Sequence, residues 1–286
     1  MKKVAFVTIH GMGKVDRDYA SDVQNRVKRI LGPTLSDQVS MQSIFFSEPL
    51  QERESECFAK MQLKHNLKYK LLREFCLYGL ADCVALESKT TDKSSDYYVA
   101  QTSVAQTLLA SARDLDSLKR PVVLLALSLG CQVISNYIWD AQSSKKVDRE
   151  STIPGVWSDE PALQTTLQAT DAEMEFIKLN NLTNLITTGC NIPVFVAALA
   201  KHKVVPFTKP NPDFRWDNYF DADDPLGYPL GPLSEEYDKL VTDHPVNVGG
   251  PLTSWTPLSH NKYWGDSDIL EQVSTKLRAG IFAPDL

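Results

Sequence analysis

Five residues, Ala126-Leu127-Ser128-Leu129-Gly130, set a hydroxyl between small neighbours two positions before and two positions after it. A serine that attacks an acyl carbon must hold its hydroxyl on a sharp turn, clear of the helix that follows. Small residues at those two positions relieve the crowding of such a turn. Glycine is usual at both places; here alanine stands at the first. Composition alone would produce such a pentapeptide in roughly one chain of five, so its setting carries the weight. It follows at once on Val122–Ala126, within the most hydrophobic strand pattern of the chain. It also opens a stretch where Val133, Ile134, Tyr137 and Ile138 recur at helical spacing.

A hydroxyl is a poor nucleophile near neutral pH, so it needs a base, and the base needs an acid to orient it. Where a serine sits on a strand-to-helix turn of an α/β sheet, the chain order is serine, acid, histidine. The histidines are His10, His65, His202, His244 and His260. Order removes the first two. His202 reads as a solvated helix-end residue. His260, in a loop directly before the final helical pattern, is the first choice of base, and His244 in Thr242-Asp243-His244-Pro245 is its competitor. The acid should close a strand between serine and histidine. Arg215–Phe220 reads as that strand and runs into Asp221-Ala222-Asp223-Asp224-Pro225. Asp224 is the first choice there, with Asp221 and Asp223 in reserve. An Asp-rich turn can also be a solvated cap. It is not a calcium loop of the EF-hand kind, whose spacing and distal Glu are missing.

The oxyanion of an acyl transfer needs two N–H donors, each worth about 3 kcal/mol in the transition state. One should come from Leu129, after the nucleophile. The other is assigned to Met12 in His10-Gly11-Met12-Gly13, a turn that ends the first strand pattern. In that assignment Gly11 and Gly13 serve the turn and His10 is a turn residue rather than a catalyst. Two rival readings of the glycines fail. A dinucleotide fingerprint would place its third glycine at Asp16, a negative charge where a pyrophosphate would lie. A phosphate loop would need Ser or Thr after Lys14, where Val15 stands. Cys190 lacks the strand-turn-helix setting of a nucleophile and reads as a buried small residue. Trp255, Tyr263 and Trp264 read as packing near the last helix, with an acyl-pocket lining as the alternative.

Such residues meet only if the elements between them form one sheet. Lys3–Ile9, Ser40–Phe46, Val122–Ala126, Asn184–Thr188 and Arg215–Phe220 read as strands, separated by helical patterns, with a last helix from about Ser267. Near-continuous apolar strands alternating with helices predict a mostly parallel sheet covered on both faces, a three-layer α/β/α sandwich in a single domain over 1–286. The segments 51–100, 141–180 and 225–259 read as insertions that shape a cap or lid and the pocket. The chain carries 30 Lys and Arg against 36 Asp and Glu, a formal charge of −6. That balance argues against nucleic acid or an anionic membrane as the main partner, since both want a basic face. Five cysteines in irregular spacing predict neither disulfides nor a zinc site. The apolar run Val4–Ile9 is too short for a signal peptide, and no stretch reaches the ~20 residues of a membrane helix. A soluble cytoplasmic protein is the expectation.

With these residues together, the chain resembles the α/β-hydrolase superfamily, in particular its lipase- and esterase-like members. The resemblance rests on HGMG at 10–13, ALSLG at 126–130, the Asp-Pro exit at 224–225 and SHNKYW at 259–264. It implies a Ser128–His260–Asp224 triad, an acyl-enzyme intermediate and a small-molecule acyl substrate, with no metal or organic cofactor. Ala126 in place of glycine is a departure from the pattern. Thioesterase and acyltransferase chemistry use the same parts, and a catalytically silent binding protein on the same fold is the alternative outside enzymes.

Overall fold

Val4-Ala5-Phe6-Val7-Thr8-Ile9 has no charged side chain, and all six residues are buried as strand β1 (Val4–Ile9) in a computed structural model of the protein. The structure describes residues 1–87, 90–144, 153–248, 260 and 262–284. A strand buried on both faces needs a helical layer on each side, and the chain supplies both. β1 pairs in parallel with β2 (Val39–Ile44) on one side and β3 (Val122–Leu127) on the other. Beyond β3 lie β4 (Leu182–Thr188), β5 (Arg215–Asp221) and β6 (Val241–Val246), giving the all-parallel order β2-β1-β3-β4-β5-β6.

Helices α1 (Ser21–Leu31) and α2 (Pro33–Ser36) carry the chain from β1 to β2. Between β2 and β3 come α3 (Glu48–Lys64), α4 (Lys70–Glu87) and α5 (Asp96–Asp114). After β3 follow α6 (Leu129–Ser143), α7 (Glu160–Leu167) and α8 (Asp171–Ile177), then α9 (Ile192–Val196) after β4, α10 (Glu235–Leu240) before β6, and α11 (Ser267–Phe282). Strand alternation sorts the two cores. Val4, Phe6, Val123 and Leu125 pack with Val27 of α1 and Leu277 of α11, whereas Ala5, Val7 and Leu124 pack with Leu108 of α5 and Ile134 of α6. The result is the expected three-layer α/β/α arrangement.

Two segments differ from their reading as excursions. Val241–Val246, inside 225–259, is the sixth strand. Its polar residues and Pro245 belong to an edge, where a missing N–H costs no ladder bond. In 141–180, Val156, Trp157, Leu163, Met174, Phe176 and Ile177 are buried in the core, so this part is a wall of the helical layer. Its polar residues face outward and hide that inner surface from a composition reading. Residues 88–89, 145–152 and 249–259, within the three proposed insertions, lie outside the described residues, as do Trp255, Ser259 and Asn261. Among the described residues no helix is long and apolar enough to cross a membrane.

Candidate active site

Ser128 follows strand β3 directly, at φ 52° and ψ −120°, far from the left-handed helical basin where a non-glycine residue rests most easily. Such backbone stores of order 1–3 kcal/mol and persists only when its surroundings enforce it. They do so here. The Ser128 amide donates to the Thr188 carbonyl (3.0 Å), tying the turn to the end of β4. Gly130 lies so close to the end of β1 that a Cβ there would stand 2.4 Å from the His10 carbonyl oxygen. Ala126, by contrast, fits as a buried core residue, so alanine is tolerated two before the serine and not two after. Gly130→Ala is expected to cost about 3 kcal/mol by forcing two backbones apart, read as a drop in the urea midpoint. An unchanged midpoint contradicts this packing.

The turn after β1 is the serine's neighbour because β1 and β3 are adjacent strands. A Cβ on Gly11 would come within 2.8 Å of Ser128 Cβ and 3.5 Å of its Oγ, so only a bare glycine leaves this approach open. His10 is buried within the turn. Its Nε2 accepts the Phe46 amide (3.3 Å), which leaves Nδ1–H to donate to the Gly11 carbonyl (2.7 Å), and its ring stacks on Phe46. Burial lowers its pKa to about 4, so it is neutral at physiological pH.

Asp224 sits at the exit of β5 and His260 just before α11. His260 Nδ1 and Asp224 Oδ2 are 2.8 Å apart, with both side chains buried. Asp224 Oδ2 also accepts the Tyr263 hydroxyl (2.9 Å), and Oδ1 accepts the Leu226 amide (3.0 Å). Burial opposes the charge of Asp224, but His260, Leu226 and Tyr263 together hold its carboxyl below the usual value. Stability from this lowered group is present above the ordinary Asp range and lost as pH falls through the lowered value. His260 lies over Gly189, where a Cβ would stand 3.0 Å from its Cε1. The serine turn and the imidazole therefore flank one corner, Thr188-Gly189. Ser128 Oγ and His260 Nε2 are both buried with no hydrogen-bond partner among the described residues, each other included. Buried polar atoms are seldom left so, at about 1–3 kcal/mol each. In hydrolytic sites the nucleophile–base bond commonly tightens only around substrate.

The other candidates have different work. Asp221 accepts the amides of Asp223 (2.9 Å) and Val248 (2.8 Å), which makes it the cap of the turn, and Asp223 is exposed. His244 on β6 pairs with Asp217 (2.8 Å) and stacks on Tyr219. Three strand spacings separate β6 from β3, about 14 Å, beyond hydrogen-bond reach of the serine turn. His202 is exposed in a short helical turn. Cys190 is buried beside Cys131, whose thiol is pushed well up by burial and by that neighbour. Among the described residues no cluster could hold a metal ion.

Tyr263, read from the sequence as packing or as acyl-pocket lining, has a role that neither reading named. Its hydroxyl accepts the Asp221 amide (2.9 Å) while donating to Asp224, so it locks the acid-bearing turn. A second group came unannounced from α3 and α4. The Gly13 amide donates to Asp82 Oδ2 (2.9 Å), and Met12 Sδ rests on Gly79. Glu54 faces Asp82; neither Glu54 oxygen nor Asp82 Oδ1 receives a hydrogen bond from a described donor. Two buried carboxyls in contact are satisfied by sharing a proton. Burial and then the Asp82 charge push Glu54 up to about 8, with Arg53 opposing and Asp96 adding to the rise. Burial raises Asp82 as well, against the Gly13 amide and Glu54. A raised acid stabilises while protonated: the contribution is whole below the ordinary Glu value and fades as pH rises toward about 8. Glu54→Gln is expected to gain about 1–2 kcal/mol over the parent at about pH 9 and nothing at about pH 4.5, measured by urea unfolding. Equal differences at both pH values contradict the shared proton.

A cavity of about 800 Å³ is lined by Gly11, Lys14, Tyr19, Leu127, Lys262 and Trp264 among others, beside the serine turn but without Ser128 or His260 in its wall. A groove of about 850 Å³ runs from Gly13 and Lys14 along α3 and α4 to Leu63 and Lys70.

No protein-family model matches the chain, and no curated protein sequence matches it. Among solved structures, the crystal structure of a C6-C4 SN3 inhibited esterase B from Lactobacillus rhamnosis is similar, at 12% identity and a TM-score of 0.42, over 98% of this chain and 76% of that one. A likeness at that level carries no argument about activity, and the site stands on its own geometry.

Proposed function

We propose that the chain is a serine hydrolase that cleaves a carboxylic ester through an acyl-enzyme intermediate. His260 Nε2 takes the Ser128 proton as Oγ bonds to the acyl carbon. The amides of Met12 and Leu129 receive the negative charge on the carbonyl oxygen. Asp224 holds Nδ1–H and stabilises the imidazolium. The tetrahedral species collapses, His260 returns the proton to the departing alkoxide, and the alcohol leaves. Water then repeats the steps and releases the acid.

One observation supports the reading above others: a buried hydroxyl on a strained turn and an imidazole nitrogen backed by a buried carboxylate, neither with a partner among the described residues, flank the same corner at the end of β4. A panel of p-nitrophenyl esters and acyl thioesters of graded chain length tests it. Hydrolysis that needs both Ser128 and His260 is the expected result. Faster turnover of thioesters than of esters would move the substrate class to thioesters. Ligand binding without turnover of either would replace the enzyme with a binding protein.

A further inference from the structure

The negative charge of the chain is not evenly spread. Between Glu56 and Glu74 the sequence holds Lys60, Lys64, Lys68, Lys70 and Arg73, and no carboxylate. These residues form the tip of the hairpin made by α3 and α4. Lys60 pairs with Glu56 (2.7 Å) and Lys70 with Glu74 (3.9 Å) at the margins, exposed pairs that neutralise little of the field in water. The same hairpin carries most of the large apolar side chains exposed among the described residues. Of eleven large apolar side chains exposed among the described residues, six lie here: Met61, Leu63, Tyr69, Leu72, Leu80 and Val84. Leu63 is 87% exposed, Tyr69 77% and Val84 72%. Along α4 the residues Leu72, Cys76, Leu80 and Val84 recur every fourth position, which sets them on one outward stripe. That stripe borders an open apolar groove of about 650 Å³ between α3 and α4.

Tyr69 adds an independent sign. It sits at φ 58° in the hairpin turn, where glycine or asparagine is adopted at less steric cost. An aromatic ring kept in strained backbone and pointed at water contributes nothing to the core. Strain of that kind gathers where a side chain must be presented.

We infer that the α3–α4 hairpin docks on an anionic lipid surface, with Leu63 and Tyr69 at headgroup level and the five basic residues against the lipid charges. Basic side chains around exposed leucine and tyrosine are the pattern of a helix that lies in a membrane interface. Nucleic acid would use the lysines and leave Leu63, Leu80 and Val84 in water. A symmetric second copy would press one basic tip against another. The overall charge of −6 had argued against an anionic membrane; the local inversion removes that objection, since attraction acts over about a Debye length. The groove that starts at Gly13 reaches Leu63 and Lys70. Passage of an acyl group along it from lipid to Ser128 rests on the hydrolase reading; the docking itself does not.

Co-sedimentation of the full chain with phosphatidylcholine vesicles, with and without phosphatidylglycerol, tests the inference. The protein is expected to pellet with the anionic vesicles at low salt, not with the neutral ones, and added sodium chloride should release it. Lys64→Glu with Lys68→Glu should cut partitioning by about tenfold or more. Tyr69→Gly, which relieves the turn, should also cut partitioning while keeping or raising the melting midpoint. Both variants should hydrolyse a soluble ester like the parent, so loss of docking and failure of the hydrolase reading give different results. Absence of pelleting at low salt, equal pelleting with neutral vesicles, or partitioning indifferent to both variants overturns the inference. A concentration-dependent dimer lost in these variants, in place of lipid binding, also overturns it and makes the surface a self-interface.

Discussion

Replacing Ser128 by alanine is expected to lower kcat by about 10⁴- to 10⁶-fold and to end labelling by a fluorophosphonate, with the fold intact. The size follows from the chemistry, because without the hydroxyl no acyl-enzyme forms and only binding and the oxyanion amides remain. The same change removes a buried hydroxyl that has no partner among the described residues. The variant should therefore melt no lower than the parent, and as much as about 1 kcal/mol of added stability is expected. Activity and stability thus move in opposite directions, which a purely structural serine would not produce. A kcat within about tenfold of the parent would remove Ser128 from the chemistry.

Asp224→Asn is the second large effect, expected at about 10⁴-fold in kcat. The carboxylate accepts from His260, Tyr263 and Leu226 at once, and an amide can turn only one oxygen toward these three donors. The imidazole then loses the partner that fixes its tautomer and stabilises its cation. Stability should fall too, because buried donors are left unsatisfied. Asp221→Asn and His244→Ala are the controls. Asp221 caps its turn through two amides and His244 serves the sheet edge beside Asp217. Each should change kcat by less than about tenfold. A larger loss in either than in Asp224→Asn would reassign the acid or the base.

Much of the scaffold was legible because it obeys strong local rules. β3 is an unbroken apolar run and β1 is interrupted only by Thr8, and a strand buried on both faces cannot be written in many other ways. The position of Ser128, on a turn between the most apolar strand and the helix that follows, was legible, as was that of His260 ahead of α11, which begins at Ser267 as read. Asp224 could be preferred but not separated from Asp221 and Asp223 by sequence, since all three share one turn, and the hydrogen bond to His260 is a long-range contact. The strand at Val241–Val246 was hidden because an edge strand carries polar residues and even Pro245 without penalty. Tyr263 and the Glu54–Asp82 pair were out of reach for another reason. Each acts through a partner on a distant segment, Tyr263 on Asp224 and Asp82 on Gly13, and no periodicity reports such a contact. The overall charge also hides a local one, because a sum over the chain erases the run of basic residues between Glu56 and Glu74 on an acidic body.

If Ser128 Oγ is a nucleophile activated by His260, it reacts covalently with a phosphonylating agent at a rate set by the imidazole. Peptide mapping by mass spectrometry after fluorophosphonate treatment of the wild-type protein and of His260→Ala reads it directly. A single phosphonyl adduct on Ser128 is expected in the wild type, formed far more slowly in the histidine variant. An adduct on another residue, none at all, or equal rates in the two proteins would contradict it.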